Sequence, residues 1–155
     1  MGKIETTVRT MTDIVDPARR SMMMARIRSK NTAPEIEVRR AAFALGLRYR
    51  LHKKNLPGSP DLVFAKHRTV IFVHGCFWHR HPGCIDAVTP KSRSDFWLRK
   101  FEANKARDVR VCDQLRAMGW RTVIIWECET TNQLKLRQML TAAFDVPSRE
   151  RQVGV

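Results

Sequence analysis

A chain of 155 residues with 43% apolar and 28% charged residues is long enough for one domain with a real core. Its 29 Lys and Arg against 15 Asp and Glu leave a net charge of +14, and a surface so far from neutral points to a polyanion, nucleic acid first. Composition excludes a membrane span, which needs roughly 18 apolar residues. It also argues against a secreted protein, since no apolar signal core is visible and four cysteines do not make a disulfide framework of this size. Reduced thiols in the cytoplasm are expected instead, with the protein on the nucleoid when DNA-bound.

Residues 1–18 read as a polar arm, 19–146 as one folded domain, and 147–155 as a loose tail. Asp16-Pro17 predicts a short helix carrying Arg19, Arg20 and Met22 to Met24. Asn31 or Thr32 can cap the next helix, with Pro34 in its first turn, Ile36, Phe43 and Leu47 on an apolar face, and Gly46 at its end. Arg19, Arg20, Arg26, Arg28, Arg39 and Arg40 are candidate phosphate contacts. Leu47–Leu51 alternates like a strand, and Leu56-Pro57-Gly58-Ser59-Pro60 is a turn. Asp61–Ala65 and Arg68–Val73 predict two strands joined tightly at Lys66-His67. A long helix over Asp95–Met118 follows, with Trp97, Phe101, Asn104, Asp108, Cys112 and Leu115 on one face. Arg121–Trp126 predicts the last strand and Thr131–Phe144 the last helix. Interleaved helices and strands predict an α/β fold, one mixed sheet flanked by helices.

Ile71 to Cys84, IFVHGCFWHRHPGC, concentrates the chemistry. Cys76, His81 and Cys84 supply soft thiolates and an imidazole suited to a structural Zn²⁺. Cys128, just beyond the last strand, is the best fourth ligand, while Cys112 reads as a core thiol. If the two central strands pair as a hairpin, Asp61 and His74 meet at one edge. A carboxylate there can hold Mg²⁺, which takes oxygen ligands, and a histidine can move a proton. Taken singly, Asp61 suits a turn, and His74 or His79 a hydrogen-bonded structural role. Together, on a strongly basic chain, they are better explained by phosphodiester hydrolysis.

The strings Leu56-Pro57-Gly58-Ser59-Pro60-Asp61, Val70 to His79, Ser94 to Leu98 and Gly119 to Cys128 resemble the very short patch repair endonucleases (Vsr), over about Arg20 to Glu127. The resemblance implies a restriction-endonuclease-like fold with a structural Zn²⁺ and a catalytic Mg²⁺. It also implies a nick on the 5′ side of the thymine in a T·G mismatch, the product of 5-methylcytosine deamination. By motif position, Asp61 matches the metal-binding aspartate, His79 the catalytic histidine, His74 a second active-site histidine, and Glu35 an acid supporting the metal's water shell. Cys76, His81, Cys84 and Cys128 match the zinc ligands. Phe77, Trp78 and Trp97 match an aromatic wedge that enters DNA, and Met24 an arm residue inserted from the other groove. Val73 stands where the best-known member has threonine; the metal contact the resemblance implies there is a backbone carbonyl, which valine also supplies. Pro82-Gly83 also spaces His81 from Cys84 differently.

Apolar wedges between base steps suit an enzyme that senses weak stacking at a mismatch. Lys100 and Asn104, near Trp97 on the same helical face, are candidate readers of the mismatch strand. The expected partner is double-stranded DNA with a T·G mismatch, met by a monomer without membrane contact, with other mismatch-repair proteins as further candidates. The alternatives are a related nickase for unpaired or branched DNA, and a zinc-stapled DNA-binding module without catalysis.

Overall fold

The computed structural model describes residues 16–25 and 29–146, apart from the side chains of Arg20 and Met24. Arg26, Arg28, the tail after Val146 and most of the N-terminal arm, with the predicted role of Met24, therefore lie outside the described residues. Helix α1 (Pro17–Ala25) starts at the predicted signal, Asp16 Oδ1 accepting from the Ala18 N–H. Helix α2 (Ala33–Ala44) is capped by Thr32, whose side chain accepts from the Glu35 N–H. The Glu35 carboxylate reaches back to the Asn31 N–H at 2.9 Å. This threonine-to-glutamate spacing satisfies free donors of the first turn.

Four strands form one sheet in the order β1 (Arg50–Leu51), β2 (Leu62–Phe64), β3 (Thr69–His74), β4 (Arg121–Trp126). The first two pairings are antiparallel and β3–β4 is parallel. The predicted strand over Leu47–Leu51 contracts to its last two residues. Leu47 still donates its N–H to the Ala42 carbonyl and buries its side chain with α2, so the backbone there is closing a helix. The β2–β3 connection is longer than Lys66-His67 alone: a 3-10 turn spans Ala65–His67, and Arg68 adopts the left-handed region at φ 49°.

Between β3 and β4 lie the one-turn helix α3 (Cys76–His79) and the long helix α4 (Ser94–Ala117). A 3-10 turn (Glu127–Thr131) leads to α5 (Gln133–Phe144). Helix α5 begins later than predicted because the Asn132 side chain, accepting from the Lys135 N–H at 3.0 Å, is the cap.

The period-two alternation of the strands sorts the core into two layers. Leu62, Phe64, Ile71 and Ile125 pack with Val38 of α2 and Leu136 and Leu140 of α5. Val63, Val70 and Phe72 pack with Leu56, Leu115 and Trp120 on the α4 side. Each large side chain so buried contributes about 1.5–3 kcal/mol of hydrophobic stabilisation. His74 continues the Val70–Phe72 alternation, so it projects toward α4. The Gly58 turn is pressed on the same helix: a Cβ there would lie 2.5 Å from Val111 Cγ1, and the residue holds φ +71°, a conformation natural only to glycine.

Candidate active site and cysteine–histidine cluster

The sheet brings the start of β2 to the end of β3. Leu62 pairs with Ile71, which leaves Asp61 beside Val73, whose N–H donates to Asp61 Oδ2 at 2.7 Å. These residues open into a cleft of about 810 Å³, walled by α2, the Gly58 turn, the β3 end and α4. Glu35, from the first turn of α2, is 3% exposed and faces it. Glu35, His52 and Asp61 offer ligand atoms within 4.8 Å of one another. Two carboxylates are hard oxygen donors of the kind Mg²⁺ takes. Burial pushes the Asp61 carboxyl up to about 6, against the lowering effect of the Val73 N–H.

A second group lies beside it. His74 and His79 stack with ring centroids 3.8 Å apart and planes 11° from parallel. His79 Nδ1 meets Asp108 Oδ2 at 2.6 Å. A one-turn helix makes this possible: Gly75 starts α3, Arg80 ends it at φ 59°, and the turn returns His79 over the end of β3. His74, 7% exposed, also edges Trp126. Burial, with His79 beside it, lowers His74 to about 4, so it stacks as a neutral ring at pH 7.

The third group is Cys76, His81, Cys84 and Cys128, again with ligand atoms within 4.8 Å. Its assembly follows from the parallel register: His74 pairs with Trp126, so the residues two beyond each, Cys76 and Cys128, leave the sheet side by side. His81 Nδ1 lies 3.3 Å from Cys128 Sγ and 3.9 Å from Cys76 Sγ, its ring stacked on Trp126 at 4.4 Å. Three thiols and one imidazole are the donor set of a closed structural zinc site, and the altered His81–Cys84 spacing still delivers both side chains. Burial, with the Cys76 and Cys84 thiols beside it, pushes Cys128 up to about 12, so its thiolate forms when a bound cation displaces the proton to solvent rather than by simple ionisation. Cys112 lies apart, on α4 in the cleft wall.

Phe77, Trp78 and Trp97 form one edge-on aromatic ledge with Phe101. Phe77 lies 5.0 Å from Trp78, 5.5 Å from Trp97 and 5.2 Å from Phe101, centroid to centroid. Trp78 also lines the cleft. Lys100 Nζ stands over the Trp78 and Trp97 rings at 5.1 and 5.7 Å, which keeps a positive charge at the rim of the ledge.

Asn104 is engaged within the protein. Its Nδ2 donates to the Trp78 carbonyl at 3.1 Å and its Oδ1 accepts from Arg107, so the amide ties α3 to α4. Asn104→Ala should therefore lower the melting temperature, at about 1 kcal/mol for the lost bond. In a binding competition it should leave any preference between T·G and T·A duplexes unchanged.

Arg39 is likewise withdrawn from the basic surface: it is 14% exposed and donates to Glu35 Oε2 at 3.0 Å. Arg40 remains exposed beside Glu37. Two residues that sequence reasoning left without a role join the site, His52 between the two carboxylates and Asp108 behind His79.

A profile of the family described as DNA mismatch endonuclease Vsr matches residues 12–84. The Type II nicking enzyme V.XorIIP of Xanthomonas oryzae pv. oryzae is 50% identical over 134 residues, 84% of this chain and 98% of its own. V.NmeAIP of Neisseria meningitidis, also named a Type II nicking enzyme, is 43% identical over 130 residues, 84% of this chain and 92% of its own. The DNA mismatch endonuclease Vsr of Escherichia coli (strain K12) is 41% identical over 126 residues, 81% and 80% of the two chains. Identity at this level, across nearly the whole length of such relatives, means that the chain belongs to the Vsr family.

Proposed function

We propose that this protein is a Mg²⁺-dependent DNA endonuclease that nicks one strand on the 5′ side of the thymine in a T·G mismatch. The observation that carries the reading is one cleft holding Glu35, Asp61, His74, His79 and Asp108, with an aromatic ledge on its wall. The names of the relatives, a mismatch endonuclease and nicking enzymes, support the same chemistry.

Asp61, with Glu35 and the Val73 carbonyl, would hold the ion. Bound there, Mg²⁺ supplies an activated water and offsets charge on the phosphate. The chain's own groups do the rest. The Val73 N–H fixes one oxygen of Asp61 and so fixes the plane of the carboxylate. Asp108 only accepts, so the proton of His79 sits on Nδ1 and the lone pair on Nε2 is free to take a proton. His74 holds that ring by stacking, and its depressed basicity suits a neutral support better than a base. The ledge of Phe77, Trp78 and Trp97 would press into the duplex, where a mispaired step unstacks at least cost.

Cys76, His81, Cys84 and Cys128 would hold a structural Zn²⁺ that fixes α3, and with it His79 and the ledge. Cys84→Ser and Cys128→Ser should each lower bound zinc, read by metal analysis, and lower thermal stability. Cys112→Ser should keep full zinc.

The test of function is nicking of end-labelled duplexes that differ only at one pair, T·G or T·A, by the zinc-loaded protein with and without Mg²⁺. Cleavage of the thymine strand of the T·G duplex alone, and only with Mg²⁺, is expected. Equal cleavage of both duplexes, or cleavage only of branched or unpaired DNA, would replace this reading with a related nickase. Tight binding without cleavage would leave a DNA-binding module.

A further inference from the structure

His52 belongs to no motif in the chain, yet the cleft is built around it. It follows β1 directly, at φ 44°, its N–H meeting the Asp61 carbonyl at 3.4 Å. Its ring is 16% exposed. Nε2 lies 3.1 Å from Arg39 Nη2 and 3.7 Å from Glu35 Oε2, and Nδ1 lies 3.9 Å from Asp61 Oδ1.

Donor arithmetic fixes its state. A guanidinium has only donors, so the ring nitrogen facing Arg39 must carry the lone pair. Nη2 has two hydrogens, one for Glu35 Oε2 at 3.0 Å and one for His52. The ring is then neutral and its proton is on Nδ1, the nitrogen that faces Asp61. Asp61 is thereby faced from two sides: Oδ2 accepts from the Val73 N–H at 2.7 Å, and Oδ1 faces His52 Nδ1 at 3.9 Å, an electrostatic contact longer than a direct hydrogen bond. Glu35 is held in turn by Arg39 and by the Asn31 N–H. The two acids sit close together in a buried wall, where like charges separate unless something pins them.

We propose that His52 is a positioning residue for the metal-binding carboxylates: Arg39 sets it as the Nδ1–H tautomer, and it holds Asp61 Oδ1 facing the same space as Glu35. The inference rests on the endonuclease reading for its consequence, because a carboxylate pair so arranged serves a divalent cation. His52 itself is not a ligand here. Its lone pair is already engaged by Arg39, and its free nitrogen carries a proton.

The first test needs no ion and no activity. A long-range ¹H–¹⁵N spectrum of the zinc-loaded protein without Mg²⁺ at neutral pH should show His52 protonated at Nδ1 alone. A proton at Nε2 overturns the proposal. The second compares two variants by calorimetric Mg²⁺ binding and by the Mg²⁺ dependence of nicking. His52→Leu removes the donor and the acceptor. It should weaken Mg²⁺ roughly 10–100-fold, the usual effect of losing a group that orients a ligand, with kcat at saturating Mg²⁺ largely kept. His52→Gln has an amide N–H for Asp61 and an oxygen for Arg39, and should stay within about threefold of wild type. A structural role alone would move melting temperature in both and Mg²⁺ affinity in neither. Equal Mg²⁺ affinity in wild type and His52→Leu therefore overturns the inference. Wild-type protein that nicks no duplex at any Mg²⁺ concentration overturns the endonuclease reading instead. The tautomer and the calorimetric affinities would then still decide the role of His52.

Discussion

Asp61→Asn is expected to abolish nicking and yet raise the melting temperature of the Mg²⁺-free protein at pH 7. The loss follows from the proposed ion: several kcal/mol of charge stabilisation disappear with its ligand, at least about a thousandfold in rate. The gain follows from burial. Asp61 is raised from 3.8 to about 6, with desolvation the largest cause. A carboxyl raised by folding contributes stability that is fully present below the unfolded value and lost as pH rises through the folded one. At pH 7 the charged form therefore opposes folding by up to about 3 kcal/mol, taking 1.36 kcal/mol per unit. With the side chain 17% exposed, solvent screening makes the real figure smaller. An amide removes this cost and can still accept from the Val73 N–H, so a rise of several degrees is expected at about 2–4 °C per kcal/mol. Below pH 4 the two proteins should melt alike.

His74 has the opposite sign. Lowered from 6.5 to about 4, it contributes stability above pH 6.5 that is lost as pH falls toward 4. In wild type the two slopes oppose one another. In Asp61→Asn the His74 slope, joined by the lowered His52, is no longer opposed, and the melting temperature without Mg²⁺ should climb between pH 4 and 6.5. Added Mg²⁺ should stabilise only the wild type, by mass action on the folded state. A variant that melts below wild type at pH 7 without Mg²⁺, or that nicks normally, would remove Asp61 from the proposed site.

What was legible in the chain depended on sequence distance and on period. Thr69–His74 and Arg121–Trp126 are β-branched runs, and α4 shows its buried face at helical spacing, so the sheet and its longest helix could be read directly. Cys128 was within reach because two strand ends lying side by side bring their following residues together. His52 was not. In Arg50-Leu51-His52-Lys53-Lys54 it looks like part of a solvated basic run, and its role arises from a left-handed turn beside a pairing with β2. Arg39 looked like one of several surface cations on α2. Only the fold shows that Glu35, one turn earlier, holds it inward. Asp108 read as a polar break in an apolar face, because its partner His79 lies 29 residues earlier in the chain and a one-turn helix delivers it. Such pairings leave no local periodic signal.

Asp108→Asn tests that missed residue, and it should lower kcat by about 10²–10⁴-fold, the range that general acid–base groups contribute. The carboxylate faces His79 Nδ1 at 2.6 Å and can only accept, which keeps the ring proton on Nδ1 and the Nε2 lone pair free. An amide is ambiguous. With its NH₂ turned toward Nδ1 it selects the other tautomer, which puts the proton on Nε2 and removes the base. With its oxygen there it keeps the tautomer but no longer stabilises the charged ring that forms when His79 takes a proton. Both arrangements act on the chemical step. DNA binding should hold or tighten, because one negative charge leaves a cleft that also contains Lys30 and Arg107. Folding should change little, since the amide has nearly the size of the carboxylate and the Asp108 side chain is 20% exposed. The control lies on the same helix: Asp113 pairs with Arg116 in solvent, 61% and 78% exposed, and Asp113→Asn should leave both kcat and binding as they are. Single-turnover nicking of a T·G duplex with enzyme in excess separates the chemical step from binding. A rate for Asp108→Asn within about threefold of wild type would show that Asp108 only packs against His79 and that the proton is moved by another group.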